Sequence, residues 1–281
     1  MTLDGVSAEL AAAGIEEARH EALMIAERAT GFSRAKLLAS RRDELPADAL
    51  PAICDMLRRR AAREPLQYIL GEWDFMGLTY SVSSACLIPR ADTELLCETA
   101  IRNLPDGGQL LDLCCGSGCI GISVAHARRD AAVTLLELYP DAMDVARRNA
   151  RHLLGDEHGV NFVVADAASE TDAEEHFAHN SFDVIVSNPP YVTADEMGSL
   201  APELSYEPRH ALTDGGDGMS VIRSILRIYK DYLKPGGMLA IEHGSAQGDA
   251  VADAVRVLGY EPEGLLDYAG HARVTLFRAP A

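Results

Sequence analysis

The sequence predicts an α/β protein built on a mainly parallel sheet, with a small all-α N-terminal domain joined to it by a β-hairpin. From Gln109 onwards, short apolar runs alternate with helical patterns, which is typical of a mainly parallel sheet. Residues 1–71 carry apolar residues at three- and four-residue steps, which favours helices. Residues 72–86 place aromatic and β-branched residues on both sides of Gly77, which indicates a hairpin linker. Residues 87–281 then form the α/β domain.

The chain is strongly acidic, and its charge is unevenly distributed. The 281 residues carry a formal net charge of −18 at pH 7. Residues 1–71 contain ten Lys/Arg against eleven Asp/Glu, whereas residues 72–281 contain fifteen against thirty-two. Because proteins bind a phosphate backbone mainly through Lys and Arg, direct binding of nucleic acid is not expected.

The composition also bears on the cellular location. No apolar stretch approaches the length of a membrane span, and the N-terminus lacks the basic start of a secretory signal. Six irregularly spaced cysteines do not suggest a disulfide framework. We therefore expect a cytoplasmic, monomeric protein that does not contact a membrane.

Within residues 1–71, the apolar pattern predicts helices from Ala8 to Ala13, from Glu17 to Thr30 and from Leu50 to Ala62. Ser33 is placed to cap a further short helix. Arg58-Arg59-Arg60 and Arg63 form a basic cluster, which we interpret as a solvated helix face in preference to a contact with an acidic partner.

The α/β domain is expected to begin with a helix that follows Ile88-Pro89-Arg90, with Asp92 or Thr93 as its N-cap. The pattern then predicts five strands: Leu110–Cys114, Val133–Leu138, Val160–Ala165, Phe182–Ser187 and Met238–Glu242. It predicts helices at Cys119–Ala127, Asp141–Leu153, Gly218–Leu233 and Gln247–Leu258, and a short helix or loop at Ser169–Glu175. Two further strands after Tyr260 have no helix between them, so the sheet is expected to finish as an antiparallel hairpin.

The motif Asn188-Pro189-Pro190-Tyr191 follows the fourth of these strands. Two prolines cannot continue a central strand, so the chain must leave the sheet there, where open α/β sheets bind ligands. The Asn188 side chain and the local carbonyl oxygens supply hydrogen-bond acceptors, and Tyr191 supplies an aromatic face. Together they suit a planar substrate that carries an –NH2 group.

A glycine motif follows the first strand. Gly116-Ser117-Gly118 opens a G-x-G-x-x-G pattern that a nicotinamide dinucleotide would also require, and Glu137 is placed to bind ribose hydroxyls in either cofactor class. Asp112 would repel a pyrophosphate but suits an amino-acid ammonium group. Asp166-Ala167 closes the third strand and can reach an adenine edge. These acids, with the motif at Asn188, favour a nucleoside cofactor with an amino-acid tail and a sulfonium methyl group.

Three cysteines, Cys114, Cys115 and Cys119, do not indicate a metal. Cys114 and Cys115 lie at a strand end, where adjacent side chains point to opposite faces, and no Cys/His pair with zinc spacing follows. We expect buried thiols and no metal site.

The chain resembles the protein-(glutamine-N5) methyltransferases that act on release factors, and the resemblance runs almost from end to end. The segments that carry it are Pro65 to Gly71, Leu87 to Arg90 with Thr93-Glu94, Asp112 to Gly118, Asn188 to Tyr191, Glu207-Pro208-Arg209 with Ala211-Leu212, Gly215 to Gly218, and Asp267 to Gly270 with Arg273. Asn-Pro-Pro-Tyr by itself is shared with enzymes that methylate nucleic acid bases, so the combination is what gives specificity.

This resemblance implies a Rossmann-like class I methyltransferase sheet and S-adenosylmethionine as cofactor. It implies that Asn188, Pro189, Pro190 and Tyr191 bind and align the target glutamine of the Gly-Gly-Gln loop of a peptide chain release factor, with residues 1–71 as the docking domain. The cofactor-binding residues that it implies are Arg90, Asp112, Cys114, Cys115, Gly116, Ser117, Gly118, Glu137, Asp166, Ala167 and Asn188. Cys115, Ala167 and His243 depart from the residues usual in the family, and the small Ala167 leaves less surface for adenine stacking.

Several other functions remain open from the residues themselves. A glutamine methyltransferase that acts on a ribosomal protein would share the motif and the helical domain. A base N-methyltransferase is disfavoured by the acidic body, and a nicotinamide-dependent oxidoreductase gives Asn188 to Tyr191 no task. The intact motif residues argue against a non-catalytic binding module.

Overall fold

The computed structural model describes residues 1–156 and 159–281. The chain divides into two compact units. The first contains Met1–Glu72 and Ala201–Tyr206, and the second contains Trp73–Leu200 and Glu207–Ala281. Within the described ranges, no helix is long and apolar enough to cross a membrane.

The first unit is helical, as predicted. Its helices are α1 (Leu3–Ala12), α2 (Ala18–Thr30), α3 (Arg34–Ala39), α4 (Leu50–Ala61) and α5 (Leu66–Leu70). Ser33 caps α3, because its side chain accepts a hydrogen bond from the Lys36 N–H. Val6, Ile25 and Ile53 come from three different helices and are fully buried in one apolar core. Burial of these helix faces, more than helix propensity, stabilises helices as short as these.

The basic cluster is not a solvated helix face throughout, so that interpretation is wrong for Arg60. Arg60 is 7% exposed. Its guanidinium lies 2.6 Å from a Glu21 carboxylate oxygen and 3.0 Å from Glu203 Oε1. Arg63 also pairs with Glu203 at 3.2 Å. Since a buried guanidinium needs acidic partners, these ion pairs fix Ala201–Tyr206 within the first unit.

The predicted hairpin is present. β1 (Glu72–Phe75) and β2 (Leu78–Ser81) pair as a two-stranded sheet. Met76 and Gly77 connect them with φ values of 51° and 73°. Positive φ at both central residues is the geometry that a tight two-residue hairpin turn requires.

The second unit is built on a seven-stranded sheet in the order β5-β4-β3-β6-β7-β9-β8. The strands are β3 (Gln109–Leu113), β4 (Ala132–Glu137), β5 (Val160–Val164), β6 (Phe182–Ser187), β7 (Leu233–Glu242), β8 (Glu263–Leu266) and β9 (Ala272–Arg278). The first five run parallel, and β9 pairs antiparallel with both β7 and β8. The predicted α/β sheet and its antiparallel end are therefore confirmed.

Helices cover both faces of this sheet. They are α6 (Glu94–Asn103), α7 (Cys119–Ala127), α8 (Pro140–Leu154), α9 (Glu170–His176), α10 (Arg209–Leu212), α11 (Ser220–Tyr229) and α12 (Gly248–Val257). Successive strand residues alternate between two cores. Leu110 and Val184 face one core, and Leu111 and Ile185 face the other. All four are fully buried, which explains why these strands read as continuous apolar runs.

Two predicted boundaries differ from the structure near Pro235. The helix predicted as Gly218–Leu233 ends as α11 at Tyr229, followed by one 3-10 turn at Lys230–Tyr232. The predicted helix stop then lies inside β7, which begins at Leu233. The β6–β7 register is irregular there, between Phe182 and Val184, so β7 accommodates the proline and glycines where its pairing is broken.

Candidate active site

A cavity of about 330 Å³ lies in the second unit, at the carboxyl ends of the parallel strands. β3 and β6 are neighbours in the sheet, and the strand order reverses between them. The loops that follow these two strands therefore diverge and leave a crevice, which is where open α/β sheets bind ligands. The predicted residues that line the cavity are Arg90, Cys114, Cys115, Gly116, Ser117, Glu137, Asp166, Ala167, Asn188 and Pro190. Asp112, Gly118, Pro189 and Tyr191 do not line it.

The glycine loop has the backbone that the motif predicts. Gly116 and Gly118 have φ values of 55° and 78°, where a side chain would be strained. A Cβ atom at Gly121 would lie 2.2 Å from Leu135 Cδ2, so this third glycine is needed for α7 to pack on β4. Cys114 also adopts a positive φ, of 57°, one residue after β3 ends. Cys114 and Cys115 both line the cavity, and they pack against different cores on the two sides of the sheet, as predicted for adjacent side chains at a strand end.

Glu137 ends β4 and forms the part of the cavity wall next to the glycine loop. Its two carboxylate oxygens accept hydrogen bonds from backbone N–H groups, Oε2 from Gly116 at 2.9 Å and Oε1 from Tyr139 at 3.1 Å. Burial raises the pKa of Glu137, and these two bonds oppose the rise. The carboxylate is thus held in place with lone pairs left for hydroxyl groups in the cavity.

Asp112 lies behind the glycine loop. It is fully buried, and its Oδ2 accepts the Gly121 N–H at 2.9 Å. Its Oδ1 has no hydrogen-bond partner among the described residues. Burial is the main cause that raises the pKa of Asp112 to about 7. This geometry shows that Asp112 holds the Gly121 N–H near the start of α7, and its contact with an ammonium group stays a prediction.

Asp166 and Ala167 follow β5 and close another side of the cavity. Asp166 Oδ1 accepts the Ala168 N–H at 2.8 Å, and the Asp166 N–H donates to Asp172 Oδ2 at 2.8 Å. The Asp166 side chain is therefore set by a local turn at the strand end, on the wall of the cavity.

The side chain of Asn188, in the Asn-Pro-Pro-Tyr motif, bonds to a residue at the start of α6. Its Nδ2 donates a hydrogen bond to Thr93 Oγ1 at 3.2 Å. Asp92 or Thr93 was predicted to cap this helix, but neither side chain makes a capping hydrogen bond. Thr93 occupies the N-cap position of α6 without capping it, and no side chain caps the 3-10 turn that precedes α6. Thr93 engages the amide nitrogen, and no hydrogen bond to Asn188 Oδ1 is found among the described residues, so this oxygen is available as an acceptor.

Tyr191 anchors the Asn-Pro-Pro-Tyr loop through two hydrogen bonds. Its hydroxyl donates to Glu242 Oε1 at 3.4 Å, and its carbonyl oxygen accepts from Gln247 Nε2 at 3.0 Å. A Cβ atom at Gly218 would lie 2.1 Å from the same carbonyl oxygen, so a glycine must stand there. Burial raises the pKa of Tyr191, which keeps its hydroxyl protonated. The half-buried ring packs against the core of the second unit, and Tyr191 is not among the residues that line the cavity.

Arg90 and Glu207 connect two segments of the cavity rim. They form an ion pair, and Glu207 Oε2 also accepts the Ile88 N–H at 3.1 Å. The side chain of Glu207 is 2% exposed, whereas that of Arg90 is 36% exposed. One buried carboxylate therefore ties the Ile-Pro-Arg segment to the Glu-Pro-Arg segment.

Sequence reasoning missed a second set of residues. The rings of Tyr139 and His210 both line the cavity and stack with centroids 3.4 Å apart at an interplanar angle of 24°. Tyr139 follows the predicted site residue Glu137 by two positions, so the sequence could have indicated that it lies near the cavity. His210 comes from a separate segment, so only the fold brings the pair together. Glu242, at the end of β7, was visible as one more acid at a strand end but was given no role.

Comparisons with known proteins agree with this architecture. Residues 2–71 match the model of the PrmC N-terminal domain, and residues 90–241 match that of the methyltransferase small domain. The release factor glutamine methyltransferase of Geobacter sulfurreducens is 38% identical over 250 residues, which cover 89% of this chain and 85% of that protein. The enzyme of the same name from Moorella thermoacetica is 38% identical over 271 residues, covering 95% and 93%.

A solved structure shows the same fold. A methyltransferase from Pyrococcus furiosus superposes with a TM-score of 0.52 at 18% identity, over 84% of this chain and 100% of that one. The sheet order, the glycine loop and the cavity, together with these matches, define a class I methyltransferase fold. Methyltransferases of this kind generally take the methyl group from S-adenosylmethionine. The chain belongs to the family of release factor glutamine methyltransferases.

Proposed function

We propose that this protein transfers a methyl group from S-adenosylmethionine to the side-chain nitrogen of the glutamine in the Gly-Gly-Gln loop of peptide chain release factors. The observation that carries this proposal is the hydrogen bond from Asn188 Nδ2 to Thr93 Oγ1. Asn188 lines the cavity, and with its Nδ2 engaged by Thr93, its Oδ1 atom is available as an acceptor. An acceptor in that place suits the –NH2 group of a carboxamide.

The residues around the cavity suit the cofactor. Glu137 is the acceptor for the ribose hydroxyls, and the loop from Cys114 to Gly118 takes the methionine end. Asp166 and Ala167 border the adenine, and Arg90 lies at the rim. Asp112 does not line the cavity but supports the glycine loop, because its carboxylate accepts the Gly121 N–H in the first turn of α7.

The chemistry requires alignment more than acid–base catalysis. A carboxamide nitrogen is a poor nucleophile, because its lone pair is delocalised into the carbonyl group. Bound S-adenosylmethionine supplies a strongly electrophilic methyl group. Asn188 Oδ1 and the Pro189 carbonyl oxygen accept the two amide hydrogens, aim the nitrogen at the methyl carbon and stabilise the positive charge that develops on the nitrogen. The proton leaves the nitrogen after transfer. Pro190 and Tyr191 keep the acceptors rigid.

The two units have different tasks in this proposal. Residues 1–71 dock the release factor, 72–86 form the linker, and residues 87–281 carry out the methyl transfer. The reaction takes place in the cytoplasm, where release factors act, and the catalyst is a monomer. A ribosomal protein or a nucleic acid base as the methyl acceptor would be the competing outcomes.

The test uses methyl-labelled S-adenosylmethionine with three acceptors: a release factor, a ribosomal protein preparation and DNA. We expect label on the release factor, at the glutamine side chain of its Gly-Gly-Gln loop when the peptides are mapped. Label on a backbone, base or ribosomal protein atom instead would contradict the proposal.

A variant tests the site itself. Asn188→Ala should lower kcat by about 100-fold or more, as expected for loss of one preorganised polar contact to the reacting group. Its dissociation constant for S-adenosylmethionine should change by less than about threefold, because the remaining cavity wall is intact. Asn161→Ala, at an exposed position of β5, is the matched control. Turnover retained in Asn188→Ala would refute the assignment.

A further inference from the structure

The turn between β8 and β9 carries part of the family resemblance, yet the mechanism above gives it no role. Its first residue, Asp267, has a side chain that is only 3% exposed. The Asp267 Oδ1 atom accepts the backbone N–H groups of Ala269 and His271, both at 2.9 Å. Its Oδ2 atom lies 3.3 Å from the Arg273 guanidinium. The turn therefore buries a carboxylate that holds the Arg273 side chain in place.

Arg273 connects this turn to the start of α6. A guanidinium nitrogen of Arg273 lies 3.0 Å from Asp92 Oδ2, in an ion pair whose two side chains are 15% and 52% exposed. Asp92 belongs to the 3-10 turn Ala91–Thr93, which leads directly into α6. Among the described residues, no side chain caps this 3-10 turn or α6. The ion pair with Arg273 thus ties to β9 a helix start that lacks the usual capping bond.

Thr93 is the last residue of the same 3-10 turn, and it lines the cavity. Its backbone N–H donates to the Arg90 carbonyl oxygen at 3.1 Å, which closes the turn. Its side-chain Oγ1 accepts the Asn188 Nδ2–H at 3.2 Å. The position of the 3-10 turn therefore sets the place at which the Asn188 amide is held. A misplacement of about 1 Å at a reacting centre can lower a rate by about 100-fold.

We propose that Arg273 is a positioning residue: through Asp92 it holds the 3-10 turn Ala91–Thr93, so that Thr93 keeps the Asn188 amide aligned with the –NH2 group of the methyl acceptor. This inference deepens the proposed function and rests on it. Without the ion pair, the turn can move away from Asn188, and the amide then takes up other orientations. Because a half-exposed ion pair contributes little to stability, its loss should appear in catalysis more than in folding.

The experiment measures kcat and the KM for S-adenosylmethionine, with a release factor as acceptor, in Asp92→Ala, Thr93→Val and the double variant. Asp92→Ala leaves Arg273 paired with Asp267, so the buried carboxylate keeps its cation. Each single variant should lower kcat by about tenfold and leave the KM for S-adenosylmethionine within about threefold. The double variant should be no slower than Thr93→Val, because Asp92 acts through Thr93. Wild-type kcat in either single variant, or losses that multiply in the double variant, would overturn the inference.

Two further variants of aspartates separate positioning from a general effect on folding. Asp92→Glu should recover most of the kcat that Asp92→Ala loses, since its half-exposed carboxylate can still reach Arg273. Asp253→Ala is the matched control, because Asp253 is an exposed aspartate on α12 that pairs with Arg256 at 2.8 Å. Asp92→Ala and Asp253→Ala should have equal urea denaturation midpoints, and only Asp92→Ala should be slow. An equal loss of kcat in Asp92→Glu and Asp92→Ala would count against the ion pair and overturn the inference.

Arg273→Met tests the cation itself. It should lower kcat at least as much as Asp92→Ala does, and adding Asp92→Ala to it should lower kcat by less than about twofold more, because the ion pair is already broken. A further tenfold loss would mean that Asp92 acts through its own charge at the N-terminus of α6, and would overturn the inference. If Arg273→Met does not fold, because Asp267 loses its cation, the Asp92 and Thr93 variants decide the question.

The wild-type protein and Asn188→Ala are assayed alongside. If the wild type does not methylate glutamine, the proposed function fails, and the inference fails with it. If the wild type is active and Asn188→Ala is not, but Asp92→Ala and Arg273→Met are both as fast as the wild type, the proposed function stands and only the inference is overturned.

Discussion

Glu207 accepts the backbone N–H of Ile88 at 3.1 Å while the same carboxylate pairs with Arg90. The Ile88 and Glu207 segments lie 119 positions apart in the chain, and both line or support the cavity. The cavity rim therefore depends on one buried carboxylate.

Replacing Glu207 should loosen the cavity rim. In Glu207→Ala the Ile88 N–H and the Arg90 guanidinium lose their partner, so the loop they belong to becomes less ordered. We expect the dissociation constant for S-adenosylmethionine to rise by about fivefold to tenfold, and the free energy of unfolding to fall by about 2 kcal/mol, since a buried acceptor is lost but Arg90 is partly solvated. Isothermal titration and urea denaturation measure the two effects. Glu261→Ala should change neither, and an unchanged cofactor affinity in Glu207→Ala would contradict this role.

Adding one methyl group at Gly121 should destabilise the second unit. The new Cβ atom would lie 2.2 Å from Leu135 Cδ2, in a core where α7 packs on β4. We expect Gly121→Ala to lower the free energy of unfolding by about 2 kcal/mol, the usual cost of overpacking a core. Gly264→Ala is the matched control, because a Cβ atom there meets nothing within 4 Å. Equal denaturation midpoints for the two variants would show that α7 can shift away from β4 without loss of stability.

The buried carboxyl of Asp112 should make stability depend on pH. Its pKa is about 7 in the folded protein, against 3.8 for an ordinary aspartate. The folded state thus holds a proton that the unfolded chain releases near pH 4. The contribution of Asp112 to stability is therefore fully present below about pH 4 and is lost as the pH rises towards 7.

Asp112→Asn removes this pH dependence. The asparagine oxygen can still accept the Gly121 N–H, and no charge has to be buried at high pH. We expect the variant to gain roughly 2–4 kcal/mol relative to the wild type between pH 4 and pH 8. Urea denaturation of both proteins across this range measures the difference, in which the contributions of all other ionisable groups cancel. A difference that stays constant with pH would mean that Asp112 is ionised in the folded protein.

The stacked pair of Tyr139 and His210 should contribute to cofactor affinity. Both rings line the cavity, and Ala167 offers only a small surface on the side assigned to the adenine. We expect Tyr139→Ser to raise the dissociation constant for S-adenosylmethionine by about threefold to tenfold, as loss of one aromatic contact would. Tyr260→Ser, a tyrosine outside this cavity, serves as the control. Unchanged binding in Tyr139→Ser would show that the rings stack only on each other.

The sequence by itself determined the architecture of both units and about a third of the residues that line the cavity. Strand–helix alternation predicted a mainly parallel sheet, and strand ends marked by Gly116, Glu137, Asp166 and Asn188 indicated where a ligand would bind. These signals are local, because apolar periodicity and turn residues act within a few positions of the chain. The boundaries were least secure where a strand began irregularly, at Leu233.

Only the tertiary structure decided which groups meet. Thr93 bonds to Asn188 across 95 positions of the chain, and Tyr191 bonds to Glu242 across 51. Arg60 was expected to be solvated, but its burial between Glu21 and Glu203 depends on a segment 143 positions away. Such contacts are set by strand order and helix packing. The physical reason is that a local pattern specifies which face of an element is buried, whereas the partner on that face is supplied by another element.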